Sequence, residues 1–170
     1  MNPAFVRYSL CIVTSLLLFV ACNQGRHIVS DKHLKEDKAY TESNNKKILK
    51  LTTVAKSLIG KPYQLGSSGP KSFDCSGLMI RVFKSINLSL PRMAEEQSRL
   101  GDKINLNRVQ PGDLLFFGRS HIDHVAMVIK VKSGNISLIH SSSTTGVTEQ
   151  ILQDSDYWMK KFKYAKRVTL

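Results

Sequence analysis

The sequence predicts an α+β fold in which N-terminal helices pack on an antiparallel sheet. Three observations point there. Apolar residues first recur at three- and four-residue spacing, the period of a helix with one buried face. Beyond Pro111-Gly112 the period shortens to that of strands. The two kinds of segment come in blocks instead of alternating, which favours an antiparallel sheet over βαβ units. A length of 170 residues accommodates one ordinary domain. A hydrophobic share of 42% with 22% charged residues argues against wholesale disorder and a polytopic membrane protein.

Taken in order, the chain opens with Arg7 as the only charge in its first 25 residues. The apolar run Leu10 to Val20 follows; its 11 residues suit an export signal and fall short of the roughly 20 that span a bilayer. The ending Phe19-Val20-Ala21-Cys22 is similar to a bacterial lipobox, so residues 1–21 are read as a lipoprotein signal peptide and Cys22 as the lipidated residue. Phe19 replaces the usual aliphatic residue, and cleavage after Ala21 without lipidation is the alternative. Several acyl chains on Cys22 would hold the protein to a membrane where a single chain binds only marginally.

Residues 22–47 are polar, mixed in charge and poor in apolar residues. They read as a flexible linker, in which His27 and His33 are solvated side chains and not metal ligands. The globular domain is expected over 48–170. Ile48, Leu49, Leu51, Val54, Ala55, Leu58 and Ile59 form a helical stripe that stops at Gly60-Lys61-Pro62. A second helix follows Cys75, burying Leu78, Met79, Val82, Phe83 and Ile86, with its exit at Asn87. Met93 to Leu100 forms a short helix closed by Gly101. Strands are expected at Asp113 to Phe117, Val125 to Val131, Ile136 to His140 and Lys161 to Val168.

The net charge of +12 favours an anionic partner. From Ile48 onward eighteen basic residues against nine acidic leave +9, so the domain itself is basic. No recognition helix, zinc pattern or aromatic platform accompanies the charge, so nucleic acid is not an expected partner. Anionic wall or envelope polymers fit an exported protein better, beside the plain alternative of a solvated basic surface.

Candidate chemistry gathers around Phe73-Asp74-Cys75-Ser76-Gly77. Cys75 begins a helix, where unpaired N–H groups and the helix dipole favour a thiolate. Asp74 opposes this, so a cation is expected nearby, with a histidine as its source. His124 opens one strand and His140 closes the next. If Lys132-Ser133-Gly134 forms a three-residue loop with Gly134 left-handed, His140 falls opposite Ala126 and shares a face with His124. A two-residue turn at Ser133-Gly134 would place them on opposite faces. With the Cys75 helix packed on the shared face, the residues supply a nucleophile, a base and a group that orients the base. A zinc site from one cysteine and two histidines lacks a fourth ligand. No phosphate loop or acidic cluster calls for a cofactor. Trp158, Tyr157, Phe162 and Tyr164 read as core packing, and His121 as a residue at the rim.

These residues resemble the NlpC/P60 family of bacterial cell-wall peptidases, in its single-domain lipoprotein form. The likeness runs from about Ile48 to Val168 and rests on Gly60-Lys61-Pro62-Tyr63, Phe73-Asp74-Cys75-Ser76-Gly77, Leu90-Pro91-Arg92, Pro111-Gly112-Asp113-Leu114-Leu115-Phe116-Phe117, His124-Val125 and Ile139-His140-Ser141. It implies a papain-like fold with Cys75 as nucleophile, His124 as general base and acid, and His140 as the residue that orients His124. It further implies that Tyr63 helps hold the oxyanion and that Asp74 and Ser76 line the substrate groove. Gln64-Leu65-Gly66-Ser67 departs from the aromatic residue and two glycines common in relatives. The implied partners are peptidoglycan stem peptides, cut at the D-alanyl-diaminopimelate cross-link or the D-glutamyl-diaminopimelate bond. The membrane is met only through the N-terminal lipid, in a monomer on the periplasmic side of the cell envelope with the outer membrane as its expected address. A non-catalytic wall-binding scaffold of the same fold is the alternative.

Overall fold

The structure, a computed structural model, describes residues 33–168. The signal-like stretch and Cys22 lie outside the described residues. The described residues fall into two units that divide between Ser43 and Asn44.

Residues 33–57 are helical (α1), so residues 33–47, expected as flexible linker, are regular structure. The reason is local. No Gly or Pro occurs between Arg26 and Ile59, and long charged side chains are good helix formers. The His33 ring lies 3.6 Å from the Asp37 carboxylate at i,i+4, and the Thr41 hydroxyl donates to the Asp37 carbonyl at 2.9 Å. A helix that is polar all round carries no apolar period and reads as linker. From Leu51 onward the helix gains a buried stripe, with Leu51 and Ala55 in the core.

In the second unit α2 (Cys75–Lys84) and the short α3 (Ala94–Gln97) precede all six strands of the sheet. The strands are β1 (Asp102–Ile104), β2 (Leu114–Gly118), β3 (Ile122–Lys132), β4 (Asn135–Ser142), β5 (Gly146–Ile151) and β6 (Phe162–Arg167). They form one antiparallel sheet in the order β1-β6-β2-β3-β4-β5. The expected α+β architecture is therefore present. β1 and β5 are additions at the two edges, where one face is solvated and the apolar signal is weak. Another addition is α4 (Asp156–Lys161), started by the Ser155 hydroxyl, which accepts from the Trp158 N–H.

The sheet is covered on both faces, which is why β2 reads as the unbroken apolar run Leu114-Leu115-Phe116-Phe117. Leu114, Phe116, Val125, Met127 and Ile139 pack with Phe73, Leu78, Met79, Val82 and Phe83 of the α2 region. Their alternates Leu115, Phe117, Ala126, Val128 and Leu138 pack with Leu152, Ala165 and Trp158.

The β3–β4 hairpin differs from expectation in its mechanism. Lys132 pairs with Asn135, so the turn has two residues, with Ser133 and Gly134 both left-handed at φ 51° and 82°. That turn alone would put the histidines on opposite faces. A bulge between Val128 and Lys130 inserts one residue, and beyond it Val128 pairs with Leu138 and Met127 with Ile139. His140 consequently falls level with Ala126. The expected register is reached by a two-residue turn followed by a bulge, because a bulge shifts pairing by one residue as an extra loop residue would.

Candidate active site

Cys75 is the first residue of α2, and the elements around it are fixed by its neighbours. The Asp74 N-cap carboxylate accepts from the Gly77 N–H at 2.7 Å and the Gly66 N–H at 2.8 Å. Arg92 grips the same carboxylate with both terminal nitrogens and donates to the Ser76 hydroxyl at 2.8 Å. Gly77 is required for close approach, since a Cβ there would stand 2.1 Å from the Ser67 carbonyl oxygen. The Ser141 hydroxyl donates to the Phe73 carbonyl at 2.7 Å, tying β4 to the residues just before the cysteine.

From the sequence, α2 is expected on the face that carries the histidines. The structure places it on the other face, against Val125 and Met127, while His124 and His140 follow the parity of Ala126 and Leu138. Cys75 reaches them around the end of β3, where the Val125 N–H faces the sulfur. One pocket of about 430 Å³ is lined by Cys75, His124, His140 and Tyr63 together. The rest of its lining is largely polar, from Ser141 to Thr145 and Gln150, with Asp123, Tyr157, Trp158 and Lys161.

His124 Nε2 lies 3.0 Å from His140 Nδ1, so the two rings are directly hydrogen-bonded. Trp158 stacks on His124 with ring centroids 4.4 Å apart and meets His140 edge-on at 5.1 Å. Trp158 packs on the apolar cluster of that sheet face, as its sequence context predicts, and it also contacts both rings and lines the pocket. The second role leaves no signal in the sequence, because a tryptophan before a strand reads as packing whichever partner it finds. Tyr63 lines the pocket close enough for Cys75 to raise its phenol pKa, a smaller effect than its burial. Asp74 and Ser76, expected along the groove, are buried behind the cysteine and engaged by Arg92.

Electrostatics set the resting protonation. Burial pushes the Cys75 thiol up and Asp74 adds to this, against the Val125, Ser76 and Cys75 N–H groups, which favour the thiolate. The preformed thiolate expected at a helix start is therefore not the resting state. Nor does a histidine supply the cation: Arg92 does, by neutralising Asp74. Burial, then the His140 ring and Lys161, press His124 down to about 3, and burial presses His140 to about 4. Both rings are neutral at neutral pH. Asp74 is held below the usual carboxylate range: burial alone would raise it, and the hydrogen bonds from Arg92, Gly77 and Gly66 outweigh that. Among the described residues no group of three or more His, Cys, Asp or Glu is placed to hold a metal ion.

Comparison with known proteins identifies the family. Residues 60–167 match the NlpC/P60 family. The chain is 35% identical over 138 residues to the murein DD-endopeptidase MepH of Escherichia coli K12, covering 75% of this chain and 49% of that protein. It is 34% identical over 111 residues to the murein DD-endopeptidase MepS/murein LD-carboxypeptidase of the same strain, covering 64% and 56%. The chain thus spans about half the length of these curated relatives. A crystal structure of an NLP/P60-family lipoprotein-like protein from Staphylococcus aureus Mu50 superposes with a TM-score of 0.63 at 29% identity, over 74% of this chain and 42% of that one. Sequence, fold and site together make this chain a member of the NlpC/P60 family.

Proposed function

We propose that the protein is a cysteine endopeptidase of peptidoglycan stem peptides, with Cys75 as nucleophile, His124 as base and acid, and His140 as the residue that orients His124. One observation carries the reading: a helix-starting cysteine shares a pocket with a histidine whose far nitrogen is already bonded to a second histidine. His124 Nε2 is occupied by His140, which leaves Nδ1 as the nitrogen available to the sulfur. The neutral thiol and neutral ring make proton transfer concerted with attack. His124 takes the Cys75 proton as the sulfur adds to the peptide carbonyl, then returns it to the leaving amine. In this reading, N–H groups at the start of α2 and the Tyr63 hydroxyl stabilise the oxyanion. Water then hydrolyses the thioester, with His124 again as base.

The D-alanyl-diaminopimelate cross-link is the proposed bond, supported by likeness to two proteins named murein DD-endopeptidases. The export-like N-terminus and Cys22 support a lipid-anchored protein on the periplasmic side of the envelope, and the domain's excess of basic residues suits an anionic wall polymer. The test is digestion of purified cross-linked muropeptides followed by mass spectrometry. Dimers becoming monomers is expected; shortened stems would move the cut to the D-glutamyl-diaminopimelate bond. Cys75→Ala should abolish the reaction, and a variant that keeps it would refute the assignment.

A further inference from the structure

One polar atom in the site is unexplained. His140 is 2% exposed, and while its Nδ1 meets His124, its Nε2 is buried with no hydrogen-bond partner. A buried ring nitrogen in that position costs stability unless something meets it. Which nitrogen of a histidine holds its proton is set by the bond the other nitrogen makes. The partner of Nε2 therefore decides the tautomer of His140 and, through the 3.0 Å contact, that of His124.

Two side chains of β5 share the face of His140. Leu138 pairs with Gln150 and His140 with Thr148, and strand alternation puts all four on one side of the sheet. The Thr148 hydroxyl is turned away and donates to the Glu149 carbonyl at 3.4 Å. Gln150 is diagonal to His140, a separation of about 7 to 8 Å by backbone that a long side chain spans. It lines the same pocket and is half-buried. Its amide also favours a protonated His140 ring, the sign expected of a carbonyl oxygen facing a ring N–H. The other titratable groups around the pair are Cys75, Tyr63, Asp123, Tyr157 and Lys161. Lys161 is held by Asp123 at 3.3 Å, and none of the five is bonded to Nε2.

We infer that Gln150 is a positioning residue, whose amide oxygen turns to accept the Nε2–H of His140 and thereby sets the tautomers of both histidines. The proton placement follows in sequence. With its proton on Nε2, His140 accepts at Nδ1 from the Nε2–H of His124. His124 then carries an unprotonated Nδ1, the lone pair that takes the Cys75 thiol proton to give thiolate and imidazolium. The reverse tautomer of His140 would donate from Nδ1, place the His124 proton on Nδ1 and leave no base facing the sulfur. A neutral amide performs this without adding negative charge, so the pair stays unprotonated at neutral pH.

The inference rests on the hydrolase reading above, and its test separates the two. Imidazole nitrogen shifts from long-range ¹H–¹⁵N spectra report the tautomers without any turnover. The wild-type protein is expected to carry the His140 proton on Nε2, and Gln150→Leu to move it wholly or partly to Nδ1. On cross-linked muropeptides, Gln150→Leu should lower kcat by about 10- to 100-fold with KM little changed, by analogy with the loss when the partner that orients a metal-ligating histidine is removed. Gln150→Glu should restore the tautomer and most of the rate near neutral pH, with its acid limb displaced to higher pH by the added carboxylate. A wild-type His140 protonated on Nδ1, or a Gln150→Leu variant with unchanged spectra and unchanged kcat, would overturn the inference. If the wild type cleaves no muropeptide, the hydrolase reading fails, and the spectra still decide the role of Gln150.

Discussion

Acidification from about pH 8 to about pH 5 is expected to remove about 4 kcal/mol of folding stability through two residues alone. His124 and His140 sit at about 3 and about 4 in the folded protein, against 6.5 for an ordinary histidine. At about pH 5 both rings remain neutral when folded, whereas in the unfolded chain both are largely protonated. The unfolded state then binds about two more protons, so stability rises with pH across this window. Each ring contributes roughly 1.5 pH units at about 1.36 kcal/mol per unit, or about 2 kcal/mol. The contribution is fully present above about 6.5, is lost progressively below it, and the loss is complete only near the folded values. Asp74 does not confuse the window: it is held below its ordinary 3.8, so its own loss of stabilisation lies at more acid pH. Urea denaturation at several pH values measures the effect as a fall in the midpoint at constant slope. His140→Asn serves as the internal control and should remove about half of the pH dependence. A stability that stays level from pH 8 to 5, or folded histidines that titrate near 6.5 by NMR, would refute the burial argument and with it the neutral resting state.

Three further outcomes follow from the same geometry. Cys75 alkylation by iodoacetamide should be slow at neutral pH and still rising beyond pH 9, since burial raises the thiol above its ordinary 9.0; a plateau below pH 7 would reveal a preformed thiolate. Tyr63→Phe should lower kcat by about 10²-fold or more without abolishing cleavage, as loss of one oxyanion donor does, and an unchanged kcat would remove Tyr63 from that role. Trp158→Ala should cost about 3 kcal/mol by denaturation and move the acid limb of activity upward. Losing the stacked ring admits water to His124, which now lies under it at 4.4 Å; an unmoved limb would mean that Trp158 does not keep the ring dry.

Patterns of local period and motif made much of the molecule legible in the sequence. The α+β class, α2 beginning at Cys75, and the strands bearing His124 and His140 all follow from spacing that every stable packing of these residues must respect. The motifs around Cys75, His124, His140 and Tyr63 are visible in the sequence, and these four residues line one pocket. Local chemistry alone carries less where neighbours decide the outcome. The polar stretch at 33–47 lacks an apolar period yet forms helix from side-chain pairs along its own surface. Asp74 and Ser76 have the polarity of groove residues, but only folding brings Arg92, 18 positions from Asp74, against them. The shared face of the histidines depends on a bulge at the far end of β3, and the position of α2 on the opposite face depends on both faces of the sheet being covered. The protonation of the site depends on burial by Trp158 and its neighbours. Periodicity along a chain records which residues are buried; which residues meet across the interior, and how dry they become, is settled only when distant segments close on one another.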